Sequence, residues 1–76
     1  MFKTTRGLIL REVKYKEADR IITVLTDDMG KLSAKARGAL RKGSKLSAAT
    51  QSLVFSELTM FENRGKWSVN EGSTLE

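Results

Sequence analysis

The sequence predicts an all-β domain, a five-stranded Greek-key barrel with one short helix between its third and fourth strands. Three observations predict it. Five stretches with strand character are separated by turn signals built on glycine, aspartate and asparagine. One stretch, after the third of these, has the composition and start signal of a short helix. At 76 residues the chain can bury a single core at most, and domains this small have so little margin between apolar burial and chain entropy that closing the sheet on itself helps.

The elements follow in order. Residues 4–15 read as a long first strand. Its alternation is broken by Leu8, Ile9 and Leu10 in a row, which suits a strand that bends and buries different faces at its two ends. A polar turn at 16–19 leads to residues 20–26 (RIITVLT), dense in β-branched side chains, and the turn Asp27–Gly30 closes a hairpin. The third strand carries the clearest period-two signal: Leu32, Ala34, Ala36 and Gly38 share one face, and Lys31, Ser33, Lys35 and Arg37 the other. Small residues therefore go in and cations out, with Lys35 and Arg37 about 6.6 Å apart in a row.

Residues 39–44 (ALRKGS) read as a loop, and 45–51 (KLSAATQ) as a helix of no more than two turns with Ser44 as its N-cap. Residues 52–61 form a fourth strand. Leu53, Phe55, Thr59 and Phe61 alternate against Val54, Leu58 and Met60, so both faces are partly apolar and the strand should be well covered. Asn63, Arg64 and Gly65 signal a turn, residues 66–71 around Trp67 and Val69 a fifth strand, and residues 72–76 a tail without pattern. Five strands with a helix after the third is the order of an OB-fold, a barrel that commonly binds oligonucleotides. A small SH3-like barrel competes but needs no helix there.

The net charge of +5 is unevenly spread. Residues 1–30 are nearly balanced, and residues 51–76 are slightly acidic. Between them, Lys31, Lys35, Arg37, Arg41, Lys42 and Lys45 stand in a 31–50 segment that has no acid. Such a concentration attracts phosphate backbones or anionic lipid heads, although Lys and Arg runs are often just solvated surface. Histidine and cysteine are absent, which excludes disulfides, zinc-finger spacing and triads that need a histidine base. No apolar stretch reaches membrane-span length and no signal-peptide core is present, so the chain reads as a soluble cytoplasmic protein with no membrane partner.

Gly38 to Lys45 resembles a phosphate-binding loop, but its order is Gly43-Ser44-Lys45 where nucleotide hydrolysis requires Gly-Lys-Ser/Thr. Its amides could still meet a passing phosphate. Asp27 with Asp28, and Glu17 with Asp19, sit in turns where turn formation is the simpler role, so no catalytic residue, metal or cofactor is assigned. Exposed rings can stack on bases, but of the five aromatic residues, Phe2, Tyr15, Phe55, Phe61 and Trp67, several are needed for the core, and Tyr15 and Trp67, each with a polar handle and charged neighbours, are the better candidates for partial exposure.

Residues 5–11 (TRGLILR), 15–20 (YKEADR), Gly30-Lys31, 36–41 (ARGALR), 44–46 (SKL) and Gln51 resemble, in order and spacing, the N-terminal domain of the RecO recombination-repair family. The resemblance covers residues 4–67 and is most specific from Gly30 to Leu46. Ser52 stands where the family often has proline. Family members continue into a helical domain, often with a cysteine-ligated zinc site, so the chain is read as an OB-fold domain over residues 1–71 with 72–76 leading toward that missing part.

The resemblance implies a non-enzymatic module binding single- and double-stranded DNA, which helps anneal strands and, with RecR, helps RecA replace single-strand-binding protein. Lys31, Lys35, Arg37, Arg41, Lys42 and Lys45 are the candidate contacts. The alternative is an adaptor whose basic surface docks an acidic peptide tail.

Overall fold

Gly7 is the point about which the first strand divides its partners. In the computed structural model, which describes residues 1–75, β1 (Phe2–Tyr15) pairs through its first half with β4 (Phe55–Asn63) and through its second half with β2 (Asp19–Thr26). Gly7 and Leu8 belong to both ladders. A Cβ at Gly7 would stand 2.6 Å from Val24 Cγ2 and 2.8 Å from the Leu25 carbonyl oxygen, so the close crossing there requires glycine.

A register shift between Ile9 and Arg11 leaves Leu10 as the extra residue. It moves the inward phase from Thr5, Gly7 and Ile9 to Glu12. This bulge is why three apolar residues run together, and it bends the strand as expected.

β2 turns its alternate residues Arg20, Ile22, Val24 and Thr26 inward. The Asp27–Gly30 turn is held by the Thr26 hydroxyl, which accepts from the Met29 N–H at 2.9 Å and donates to the Gly30 carbonyl at 2.7 Å. β3 (Gly30–Ala36) buries Ala34 and Ala36. It ends one residue before Arg37, so the expected row on its outer face is shorter. Gly38 is not a strand residue: its φ is +71°, and its N–H donates to the Asp19 carboxylate at 2.7 Å, which pulls the chain into a turn.

The helix is a single turn, α1 (Leu46–Ala49), shorter than the 45–51 expected. Lys45 occupies its N-cap position, while the Ser44 hydroxyl accepts from the Leu46 N–H at 3.1 Å and so still serves the first turn. Thr50 ends it by donating its hydroxyl to the Leu46 carbonyl at 2.6 Å.

β4 starts at Phe55, not at position 52. Leu53 has φ +68°, and the segment before the strand bonds back to the bulge: the Leu53 N–H donates to the Ile9 carbonyl at 2.6 Å and the Ile9 N–H to Val54 at 2.9 Å. β5 (Lys66–Thr74) runs three residues beyond the expected Glu71, pairing Gly72, Ser73 and Thr74 with Leu58, Glu57 and Ser56. The final residue of the expected tail, Glu76, lies outside the described residues.

The strands close in the order β1-β2-β3-β5-β4, with β1 returning to β4. This is the all-β OB-fold barrel with its helix between β3 and β4. Every pairing is antiparallel except β3 with β5, a two-residue parallel seam of Ala34 with Trp67 and Lys35 with Ser68. Ile9, Ile22, Val24, Leu58, Met60 and Val69 fill the interior, and α1 packs on β4 and β5, adding Leu46. Each such aliphatic side chain contributes about 1.5–3 kcal/mol when fully buried.

Candidate nucleic-acid interface

Alternation on β3 puts Lys31 and Lys35 on the barrel's outer surface, and the register continues that surface across the neighbouring strands. Val13 lies opposite Ile21, Ile21 opposite Lys35, Lys35 opposite Ser68, Ser68 opposite Phe61 and Phe61 opposite Phe2. This row crosses five strands and passes over the parallel seam. A second row, Leu8, Leu25 and Lys31, lies four positions away along β2 and β3. Strands stand about 4.8 Å apart, so Lys35 and Phe61 are separated by about 10 Å along the row.

Two grooves border the seam. Lys35, Ile21, Ser33, Lys66, Trp67 and Asn63 line one. Arg37, Phe2, Phe61, Asn63, Ser68 and Asn70 line the other, with Leu46 and Val69 at its base, and its volume is about 600 Å³. Asn63 and Ser68 belong to both grooves, which therefore meet at the seam.

The six sequence-predicted cations do not form one cluster. Lys31 is exposed on β3, and Lys35 is half-buried with its ammonium 5.3 Å from the Tyr15 ring centroid. The Lys16 ammonium stands 5.4 Å from the same ring. Arg37, past the strand end, faces the second groove. Arg41 and Lys42 are exposed in the loop, which the Leu40 N–H ties to the Ala18 carbonyl of the first turn at 2.8 Å. Lys45 lies elsewhere, in a groove it shares with Glu57 and Glu71. Among the described residues none of the six forms an ion pair; the cations that do are Lys3 with Asp28, Arg6 with Glu57 and Arg20 with Glu12.

Tyr15 and Trp67 are both partly exposed, as anticipated; Trp67 packs one side against the core and lines the groove with the other. The phenylalanines depart from expectation. Phe2, 63% exposed, and Phe61, 37% exposed, are open to solvent and form a tilted pair with centroids 5.0 Å apart. The outer face of β4 is thus less covered than its apolar content suggested. Lys16 and Lys66 were also missed as site residues. Their positions beside turns were legible, but their nearness to Lys35 depends on which strands pair.

The Asp28 carboxyl is shifted. A hydrogen bond from the Thr5 hydroxyl and the Lys3 ammonium hold Asp28 below the ordinary value of 3.8. It lines none of the three grooves. Among the described residues no helix is long and apolar enough to cross a membrane.

The whole chain, residues 1–76, matches the family model described as Recombination protein O N terminal. The DNA repair protein RecO of Acetivibrio thermocellus is 43% identical over 72 residues, which cover 95% of this chain and 29% of that protein. The protein of the same name from Heliobacterium modesticaldum is 41% identical over 71 residues, 93% of this chain and 26% of the relative. That of Halalkalibacterium halodurans is 34% identical over 76 residues, 100% of this chain and 30% of the relative. The chain spans less than a third of the length of these relatives.

Proposed function

The chain belongs to the recombination protein O N-terminal family, and on that premise we propose that it is the DNA-binding module of a recombinational repair protein, acting without catalysis through phosphate contacts. The single observation that carries this reading is the outer surface at the β3–β5 seam, where Lys35 and Lys66 border one groove beside Trp67, with Tyr15 and Lys16 next to Lys35. In an OB-fold, strands β2 and β3 and the turns between β1–β2 and β4–β5 form the usual oligonucleotide face. Lys16 lies in the first of those turns, and Arg64 and Lys66 in or beside the second. Lys31, Arg37, Arg41 and Lys42 extend the field, and Lys45, beside two glutamates, contributes least.

Cations outnumber exposed rings on this face, so backbone electrostatics lead and both single and double strands bind with little sequence preference. The relatives' name, DNA repair protein, supports a role in repair. Within the larger protein the module serves strand annealing and, with RecR, the replacement of single-strand-binding protein by RecA, on DNA in the bacterial cytoplasm.

The test is a titration of this domain with labelled single strands of about 16 nucleotides, the upper end of what one such barrel covers, and with the corresponding duplex, at several salt concentrations. For four to six neutralised phosphates, log K falls with log salt at a slope of about −3 to −4 on single strands. Affinity that ignores salt, or that survives Lys35→Glu combined with Lys66→Glu, rules the reading out. An acidic peptide that binds tightly where oligonucleotides do not would establish the adaptor in its place.

A further inference from the structure

The Phe2–Phe61 pair lies outside the usual OB-fold binding face, on the first and fourth strands, and is a costly feature for a small domain to expose. Phe2 is open to water and Phe61 partly so; both forgo burial that each could supply, and contiguous exposed apolar surface marks an interaction site. What surrounds them limits the occupant. The groove they line has Arg37 as its one charged group among the described residues, the amides of Asn63 and Asn70 and the Ser68 hydroxyl on its sides, and apolar Leu46 and Val69 beneath.

Among the described residues no carboxylate lines it, so it does not suit a cationic partner. A ring face, a neighbouring guanidinium and side-chain amides with both donors and acceptors are the three kinds of group that a nucleotide engages, through base, phosphate and base edge in turn. The groove also joins the Lys35 groove through Asn63 and Ser68, and the cross-strand row leads from Lys35 over Ser68 to Phe61. A strand held by its phosphates at Lys35 therefore has a continuous path to the rings.

We infer that Phe61, supported by Phe2, is a stacking platform for an unpaired nucleobase, with Arg37 holding the adjacent phosphate. This rests on the DNA-binding reading and deepens it. The phosphate contacts at the seam do not distinguish strand types, whereas the Phe61 groove accepts a base only when it is free of its complement, so it confers a preference for single strands. Ring stacking takes any base and adds no sequence specificity. Phe61 is on the outer surface and Phe2 lies at the start of β1, so leucine at either position keeps apolar bulk and removes the π-face.

The experiment compares wild type, Phe61→Leu, Phe2→Leu, Phe61→Trp and Lys35→Gln, using a single-stranded oligothymidine of about 16 nucleotides and a mixed-sequence duplex of equal length. Each variant is first checked for folding by thermal unfolding, and Phe2→Leu carries the test should Phe61→Leu fail to fold. Phe61→Leu is expected to weaken single-strand binding roughly 5- to 100-fold, to leave duplex binding within about twofold, and to leave the salt slope unchanged, while Phe61→Trp retains or improves binding. Lys35→Gln weakens both forms and lowers the slope.

If Lys35→Gln has that effect while both leucine variants bind single strands as wild type does, the stacking platform is overturned and the DNA-binding reading stands. If wild type binds neither form, the DNA-binding reading itself fails. Equal loss on single strands and duplex in a folded Phe61→Leu also overturns the platform. So does a phenylalanine-containing acidic peptide whose binding depends on Phe61 while oligothymidine binding does not, which would make the groove a protein-docking site.

Discussion

Arg20, 8% exposed within the barrel wall, donates from Nη1 to the Thr50 hydroxyl at 3.0 Å, across thirty positions of sequence. The same nitrogen donates to the Ser47 carbonyl at 2.8 Å, and Nε stands 3.1 Å from the Glu12 carboxylate. One charged side chain thus ties β1, β2 and α1 together. A single-turn helix is far too short to be stable by itself, so this network, with the packing of Leu46 and Ala49, holds it in place. Thr50→Val, which keeps the shape and removes the hydroxyl, should cost about 1–2 kcal/mol in urea unfolding. Arg20→Met, which leaves the partly exposed Glu12 with only the Ser52 N–H as partner and removes both bonds to the helix, should cost about 2 kcal/mol. Losses below about 0.5 kcal/mol in both would show that the helix is held by packing alone.

Two glycines should respond unequally to alanine. At Gly7 the new Cβ meets the Leu25 carbonyl oxygen at 2.8 Å, and backbone cannot yield without disturbing the β1–β2 ladder. Gly7→Ala should therefore lose about 2–3 kcal/mol. At Gly72 the nearest atoms are Leu58 Cδ2 at 3.0 Å and Ala49 Cβ at 3.1 Å, the first on a flexible side chain. The reduced freedom of the unfolded chain offsets that crowding, so Gly72→Ala should stay within about 1 kcal/mol of wild type. Denaturation midpoints of the two variants check the order.

Acid stability should depend on Thr5. Its hydroxyl, then Lys3, lowers the folded Asp28 pKa beneath its ordinary value. A carboxylate lowered in the folded state adds stability above its unfolded pKa, and that contribution disappears as pH falls through the folded pKa. Thr5→Val removes the largest cause, so Asp28 should titrate closer to 3.8. The variant should lose stability at neutral pH and show a shallower decline under acid. Carboxyl NMR shifts followed through the acid range read this directly, and an Asp28 that titrates at the ordinary value in the unaltered protein contradicts it.

Cations of one charge run should differ in their effect on DNA. Lys35, on the seam and next to Tyr15, is expected to change the salt slope by about 0.7 when replaced by glutamine, with loss spread evenly over sequences. Lys45 shares its groove with Glu57 and Glu71, so Lys45→Gln should leave the slope nearly unaltered. Matched salt titrations of the two variants distinguish a positioned surface from a diffuse charge effect.

Much of this was legible in the residues. Strand composition and turn signals marked all five strands, the Leu8–Leu10 run announced a bend in the first, and alternation on β3 separated Ala34 and Ala36 from Lys31 and Lys35. The errors fall where distant partners decide the outcome. Arg37 left the strand because Asp19 captures the Gly38 N–H, β4 began late because residues 53 and 54 bond to Ile9, and β5 ran on to Thr74 because β4 offers it a partner.

The candidate site divides in the same way. The charge of the 31–50 segment and the outward face of Lys35 are local properties, since a period of two residues needs only a strand to express it. That Lys35 stands opposite Ser68, and through it in a row with Phe61 and Phe2, was decided by the tertiary structure alone. The β3–β5 register is fixed by closure of the barrel around its core, a non-local balance of packing and ladder hydrogen bonds that no neighbouring residues encode. Sequence by itself determined the barrel's strands and its surplus of positive charge, while closure decided which cations meet which rings.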